Sequence, residues 1–424
     1  MKAYSEWNVL PISELYEALY DGPHATPKTS DVGPVFLGIK NVTNDGHLDF
    51  SDVRHISEDD FVKWTRRVEP RPGDIVFTYE ATLNRYAMIP PRFRGCLGRR
   101  MALIRTNAQK VDGKFLFYYF FSPAWREVIA NNMISGATVD RIPLVQFSKF
   151  PVRVPSLGLQ RKIAEILSAY DDLIESSQRR IRILETMARS LYRECFVDFR
   201  FPGHEKARRA PSVLGENPEG WELATLGILC GGKSGVQTGP FGSQLHESDY
   251  SETGVPVVMP KDLIGFRVRT DSIARVSEST ASKLARHRMQ AGDIVYGRRG
   301  DIGRRAFITE GQAGWLCGTG CLRIRPDPGA INGWYLFNYL GQEDVLGVIA
   351  GRAQGVTMPN LNTGVMASLP IRLPPRSLQE DFARLSLPFA AASEMLTTQM
   401  DILRKLRDLQ LPRLLSGQAS LPSD

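Results

Sequence analysis

The chain is written twice. Pro72-Gly73-Asp74-Ile75-Val76-Phe77 recurs 219 positions later as Ala291-Gly292-Asp293-Ile294-Val295-Tyr296. The same offset pairs Leu97 with Leu316, Phe115 with Trp334, and Gly136-Ala137-Thr138 with Gly355-Val356-Thr357. It runs on through Phe150-Pro151-Val152-Arg153-Val154-Pro155 and Leu369-Pro370-Ile371-Arg372-Leu373-Pro374, and reaches Leu159-Gln160 with Leu378-Gln379 and Leu184 with Leu403. A period held over that length means one structural plan used twice in tandem. Trp7 and Trp221 pair at an offset of 214, so the opening halves differ by a short insertion.

Each copy has two parts. The first, residues 1–150 and about 218–369, mixes short β-rich runs such as Val35-Phe36-Leu37, Ile75-Val76-Phe77 and Val257-Val258-Met259 with Gly/Pro turns. A helical stretch, Phe115-Leu116-Phe117-Tyr118-Tyr119-Phe120 or Trp334-Tyr335-Leu336-Phe337, comes late in each, so a compact α+β domain is expected. The second part reads as a long helix. Apolar residues fall three and four apart at Ile163, Leu167, Tyr170, Ile174, Ile181, Leu184, Ala188, Leu191 and Cys195, with Ser177 the polar member. The repeat gives a second seam at Phe382, Phe389, Leu396, Met400, Leu403 and Leu414, with Ser386, Ser393, Arg407 and Gln410 as weaker positions. Pro388 inside it is expected to kink the helix or mark its start. Two equally spaced stripes, each following a self-contained domain, predict mutual packing as an antiparallel coiled coil. The expected divisions are a first domain over 1–150, a central spacer helix over 151–203, a linker and second domain over 204–369, and a closing spacer helix over 370–424. Arg200 to Gly220 reads as linker, with Lys206-Ala207-Arg208-Arg209 a solvated run.

Composition narrows the functional class. At 424 residues, with 42% hydrophobic and 23% charged residues, the chain can build several cores. The polar start Met1-Lys2-Ala3-Tyr4-Ser5-Glu6-Trp7 and the lack of a bilayer-length apolar run predict a soluble cytoplasmic protein. Five scattered cysteines (Cys96, Cys195, Cys230, Cys317, Cys321) argue against a disulfide framework. Cys317 and Cys321 lack two further ligands for zinc and are expected to be buried small hydrophobes. The net charge of +7 attracts polyanions, nucleic acid above all.

No catalytic constellation is legible. Gly227-Ile228-Leu229-Cys230-Gly231-Gly232-Lys233-Ser234 matches the phosphate-cradling G-x-x-x-x-G-K-[ST] pattern, which needs a preceding strand and a following helix. Gly235-Val236-Gln237-Thr238-Gly239-Pro240 cannot begin that helix, so a loop is expected. Pro90-Pro91-Arg92-Phe93 and Pro374-Pro375-Arg376 lack the Asn/Asp that grips a flipped adenine. The six histidines show no metal-ligand spacing, and no carboxylate–lysine cluster of a nuclease stands near the Gly-Asp-Ile strands. Asp74 and Asp293 are expected to form turns before those strands.

The order domain–helix–domain–helix, over nearly the whole chain, resembles the specificity subunits of Type I restriction–modification enzymes. Gly292-Asp293-Ile294 through Ile302-Gly303-Arg304 is similar to the family's "GDI…G…IG" strand and loop. Thr238-Gly239-Pro240-Phe241-Gly242-Ser243 resembles its "GPFGS" loop, and Pro374-Pro375-Arg376-Ser377-Leu378-Gln379 its helix entry. Leu406-Arg407-Asp408-Leu409-Gln410-Leu411-Pro412-Arg413-Leu414-Leu415-Ser416-Gly417 looks like its closing helix and stop. The first copy departs, with Thr78-Tyr79-Glu80-Ala81-Thr82-Leu83-Asn84-Arg85 lacking the glycines and Asp21-Gly22-Pro23-His24 only faintly echoing "GPFGS".

The resemblance implies that each α+β domain is a target-recognition domain reading half of a split, asymmetric DNA target. The helices would space the halves and dock two methyltransferase subunits. S-adenosylmethionine, and the ATP and magnesium of motor–nuclease subunits, would belong to those partners and not to this chain. Polar and basic side chains on the matched loops are the expected DNA-binding residues, since Arg and Lys read guanine or hold phosphate and Asn and Gln read adenine. In the second copy these are Gln237, Thr238, Ser243, Lys261, Arg298, Arg299, Arg304 and Gln354. In the first they are Lys28, Lys40, Asn41, Tyr79, Asn84, Arg85 and Arg141. Three rivals remain at this point: a specificity module of another methylation-based defence complex, a nucleotide hydrolase resting on Lys233, and a protein-binding scaffold that ignores DNA. Salt-dependent DNA binding separates the first from the scaffold.

Overall fold

The computed structural model describes residues 7–136, 139–299, 302–352 and 361–417. The chain divides into two units, residues 1–177 with 398–424, and residues 178–397. Each holds one α+β domain and parts of two 40-residue helices, the central helix Leu157–Phe196 and the closing helix Arg376–Leu415.

In the first unit the strand Asn8–Pro11 pairs antiparallel with Pro151–Val154, so the domain's first strand closes on its last. A four-stranded antiparallel sheet follows the order Tyr16–Asp21, Met101–Thr106, Ile75–Thr78, Tyr86–Met88. Side-chain alternation makes Ile75-Val76-Phe77 two-faced. Ile75 and Phe77 join the aromatic core of the helix Gly113–Tyr119, whereas Val76 packs with Ala87 and Leu103 on the other side. A smaller sheet sets Ser30–Leu37 between Arg54–His55 and a parallel strand Gly95–Leu97.

The second unit repeats this. Glu222–Thr225 pairs with Pro370–Leu373, and its main sheet runs Val236–Thr238, Cys321–Ile324, Ile294–Gly297, Arg305–Phe307. Val255–Val258 pairs antiparallel with Ala274–Val276 and parallel with Leu316–Cys317. The correspondence extends to single hydrogen bonds. Gln160 accepts from the backbone N–H of Asp112 at 2.9 Å and donates to the Pro155 carbonyl at 2.9 Å. Gln379 accepts from Asn332 at 2.9 Å and donates to Pro374 at 2.7 Å. Asp74 holds Arg105 through two bonds of 2.7 and 2.9 Å, and Asp293 holds Arg325 through two of 2.7 Å.

The register corrects the constant offset. Ile75 lies opposite Met88 and Ile104, and Ile294 opposite Phe307 and Ile324. The offset is therefore 220 from about Gly95 through the two helices that follow, returning to 219 at Pro151 and Pro370. Leu97 corresponds to Cys317 and Phe115 to Tyr335. A turn absorbs one extra residue without cost, whereas a slip inside a strand would turn its core face outward.

Within the first unit Ile163, Ala164 and Leu167 share a core with Leu411, Leu414 and Leu415, and Arg407 donates to Asp171 at 2.6 Å. Partners recede along one helix as they advance along the other, so the pairing is antiparallel. Within the second unit Tyr192 and Phe196 meet Phe382 edge-on at 5.6 and 5.3 Å. Ile174, Ile181 and Met400 are also buried, while Tyr170, Leu184, Leu191, Phe389, Leu396 and Leu403 are partly exposed. Tyr192 and Leu411, one residue past the expected Leu191 and Gln410, are the buried members at those turns.

Of the two outcomes expected at Pro388, a helix start is excluded, because the closing helix runs through that residue. Pro388 and Arg384, whose carbonyl loses its donor, both lie on the exposed side where water replaces the bond. The central helix, with no glycine or proline to stop it, ends at Phe196 because Phe199 takes a left-handed φ of 57° and packs edge-on against Trp221 at 5.4 Å. The stretch read as linker contains a hairpin, Arg209–Ser212 with Gly215–Pro218, and Arg209 lies 5.5 Å over the Phe199 ring. No helix among the described residues is long and apolar enough to cross a membrane.

Candidate nucleic-acid interface

Two glycines open the matched loops. Gly22 and Gly239 donate their N–H to the carbonyls of Met101 and Cys321 at 2.7 and 3.0 Å. A Cβ on either would stand 2.1 or 2.0 Å from the carbonyl oxygen of Gly98 or Gly318, an approach that excludes every other residue. The faint echo Asp21-Gly22-Pro23-His24 is thus the structural equivalent of Thr238-Gly239-Pro240-Phe241. Its glycine answers the same demand.

The next loop is held identically in both copies. The N–H of Tyr79 donates to the Arg100 carbonyl at 3.2 Å, and the Tyr79 carbonyl accepts from Ile142 at 2.7 Å. Arg298 makes the same two bonds, to Gly320 at 2.9 Å and from Leu361 at 3.0 Å. Ala81 further binds the Asp140 carbonyl at 2.9 Å, and Thr319 Oγ1 donates to the Pro240 carbonyl at 3.0 Å. In each domain three chain segments thereby converge on one place.

The scaffold is shared and the chemistry differs. In the first copy Arg100 lies 2.9 Å from Glu80, and Asp21 meets Arg67 at 2.7 Å and His24 at 3.3 Å. Tyr79 is buried beneath them, and burial, then Asp21 and Glu80, push its hydroxyl up. In the second copy Arg298 stands at the Tyr79 position, 8% exposed, and burial followed by Arg299 holds its guanidinium down. Arg99 and Arg141 are exposed in the first copy, as are Phe241, Ser243, Arg299 and Arg304 in the second.

The other nominated residues fall in several places. Lys28 and Lys261 are exposed. Lys40 is exposed but ion-paired with Asp52. Asn41 is buried, its amide donating to the carbonyls of Asp49 and Asp52 at 3.1 Å each and accepting from Gly38 at 3.0 Å. Asn84, at φ 60°, accepts from the Tyr86 hydroxyl at 3.4 Å, and Arg85 donates to the Val42 carbonyl at 3.3 Å. Gln237 and Thr238 sit half-buried in the edge strand, and Gln354 lies outside the described residues. Arg99, Arg100 and Phe241 were not among the nominated residues. Gly98-Arg99-Arg100 falls on Gly318-Thr319-Gly320 only when the offset is 220.

The P-loop-like segment has the wrong local order. The strand Glu222–Thr225 precedes it, but the motif's first residues lie in a short helix, Leu226–Leu229, and the strand Val236–Thr238 follows where the phosphate-cradling pattern needs the N-terminus of a helix. All five cysteines are free and buried. Burial pushes the thiols of Cys96, Cys230 and Cys317 up to about 12, which keeps them protonated and unreactive. No group of three metal-ligating side chains occurs among the described residues.

Comparison with known proteins converges on one family. The model of the Type I restriction modification DNA specificity domain matches twice, over residues 4–186 and 218–392. The chain is 24% identical over 365 residues to the Type I restriction enzyme MjaIX specificity subunit of Methanocaldococcus jannaschii, covering 86% of this chain and 82% of that one. The MjaVIII specificity subunit of the same organism is 25% identical over 203 residues, or 48% of this chain and 44% of its own. In fold it matches the crystal structure of a Type I restriction–modification S subunit from M. genitalium, with a TM-score of 0.61, 17% identity, and 98% and 97% of the two chains covered.

Proposed function

The chain belongs to the Type I restriction–modification DNA specificity family, and from that premise we propose that it is a non-catalytic reader of a bipartite, asymmetric DNA target. One observation carries the reading. Two domains share backbone bonds at their converging loops but present different side chains there: Asp21 against Thr238, His24 against Phe241, Tyr79 against Arg298, Arg100 against Gly320. A common scaffold with divergent rims suits two readers of two unlike half-sites, because scaffold fixes register while side chains at base edges specify sequence. The long helices space the two readers; forty residues at helical rise span roughly 60 Å, more than one turn of B-DNA. They also dock two methyltransferase subunits, and motor–nuclease subunits join through that complex. Arg99, Arg141, Arg299 and Arg304 are the residues we assign to the DNA-facing rims.

The test is reconstitution. The purified chain, mixed with its cognate methyltransferase subunit, S-adenosylmethionine and a library of randomised duplexes, is expected to methylate a single split motif. The chain alone is expected to bind that motif with an affinity that falls linearly in log salt and to transfer no methyl group. Methyl transfer by the isolated chain, or a continuous motif, refutes the reading.

A further inference from the structure

The duplication supplies an internal control, and one region fails to match. In the first copy Tyr86 stacks on Phe120 at 4.8 Å, meets Phe121 edge-on at 5.8 Å, and accepts from the Trp125 indole at 2.8 Å. The register puts Arg305, Leu340, Gly341 and Val345 at those four places in the second copy. Three rings have become smaller groups and the fourth a cation. A cavity of about 1050 Å³ stands there.

The helices changed in step. In the first copy the Asp171–Arg407 pair bridges the two helices at 2.6 Å, and the Tyr118 hydroxyl donates to Asp171 at 2.6 Å. The space beside that plug is about 440 Å³. The counterparts of Asp171, Arg407 and Tyr118 in the second copy are Ala390, Ala188 and Asn338, all lining the larger cavity. The plug is gone.

Arg305 forms the cavity's polar centre. Its guanidinium lies 4.8 Å from the ring centres of both Phe266 and Phe337, and its Nε donates to the Phe337 carbonyl at 2.9 Å. Gly341 makes room for it, since a Cβ there would fall 1.5 Å from the guanidinium. No carboxylate pairs with it among the described residues, and burial draws its pKa down to about 10. A buried cation without an anion destabilises the chain that holds it. The rim carries both signs, with Glu185, Arg189 and Glu394, and the exposed apolar Val197 and Leu387 continue the floor outward. An apolar floor, a central arginine and a mixed-charge rim fit a protein segment. A phosphate ligand is disfavoured because the helix Glu343–Arg352 opens with Glu343 and Asp344 at the cavity.

We infer that this groove receives a segment of a partner protein that lays an apolar side chain on the floor and sets an Asp or Glu carboxylate against Arg305. The inference rests on the reading that methyltransferase subunits dock on the helices and deepens it. The second copy holds its partner by insertion, the first copy's equivalent space being filled from within, so the two subunits bind unequally.

Native mass spectrometry of the chain titrated with its cognate methyltransferase subunit tests this. Wild type is expected to take up two subunits with separable affinities. Ala188→Arg with Ala390→Asp, which installs the first copy's plug, should weaken one of them roughly thirtyfold, the loss typical of a central interface anchor, and leave the other unchanged. Arg305→Met should weaken the same subunit without lowering the melting temperature of the free chain, which a purely structural arginine would lower. Two subunits bound by both variants with wild-type affinities overturn the inference. Failure of wild type to bind any methyltransferase overturns the underlying reading instead.

Discussion

His287 is 2% exposed, and its Nε2 accepts a hydrogen bond from Arg286 at 2.9 Å. Burial first, then the charge of Arg286, lower its pKa from 6.5 to about 4. On acidification the unfolded chain therefore takes up this proton before the folded one does. The stability it supports is present above pH 6.5 and is lost progressively as the pH falls towards about 4. Urea midpoints at pH 7 and pH 5 should differ for wild type and differ less for His287→Gln; equal differences would remove His287 as the cause. At this scale sequence reading was blunt. Choosing loop residues by type includes Arg299 and Arg141, which are exposed, but type cannot say that Asn41 is tied to two carbonyls or Lys40 to Asp52. Those partners lie several residues away and meet only in the folded loop.

At the scale of elements, the heptad spacing made both helices legible, and the structure gives each 40 residues. Phase was the harder part. A straight helix drifts against a seven-residue repeat, so the buried edge moves by one position over several turns. Tyr192 and Leu411 replace Leu191 and Gln410 in consequence. Tyr192→Ala, which empties a stack with Tyr335 at 5.9 Å and the edge contact with Phe382, should destabilise by about 3–5 kcal/mol. Leu191→Ala, one residue away and partly exposed, should cost clearly less. Chemical denaturation of the two variants decides whether the seam follows the structure or the simple heptad. The one-residue shift between copies is legible in the sequence, since Ile104-Arg105, Leu116-Phe117 and Val128-Ile129-Ala130 recur 220 positions later as Ile324-Arg325, Leu336-Phe337 and Val348-Ile349-Ala350, and a single fixed offset of 219 passes over it.

For the whole molecule, two copies of one plan predict modular recognition. Arg299→Ala with Arg304→Ala should blur one half of the methylated motif, and Arg99→Ala with Arg141→Ala the other. Each lost base contact costs about 1–3 kcal/mol at its own base pair. Sequencing of methylated products from a randomised library reads this directly; loss in the same half from both pairs, or a changed gap between halves, refutes one domain per half-site. The duplication was plain in the sequence because each copy served as the other's alignment, whereas the plugged and unplugged grooves needed side chains in three dimensions. The division of the chain has one more consequence, in the order of synthesis. Residues 178–397 are contiguous and can close as soon as they leave the ribosome, but the unit begun first contains residues 398–424. Its Ile163 and Leu167 wait for Leu411, Leu414 and Leu415, so the earliest domain made is the last completed, and its apolar helix face stays bare through most of translation.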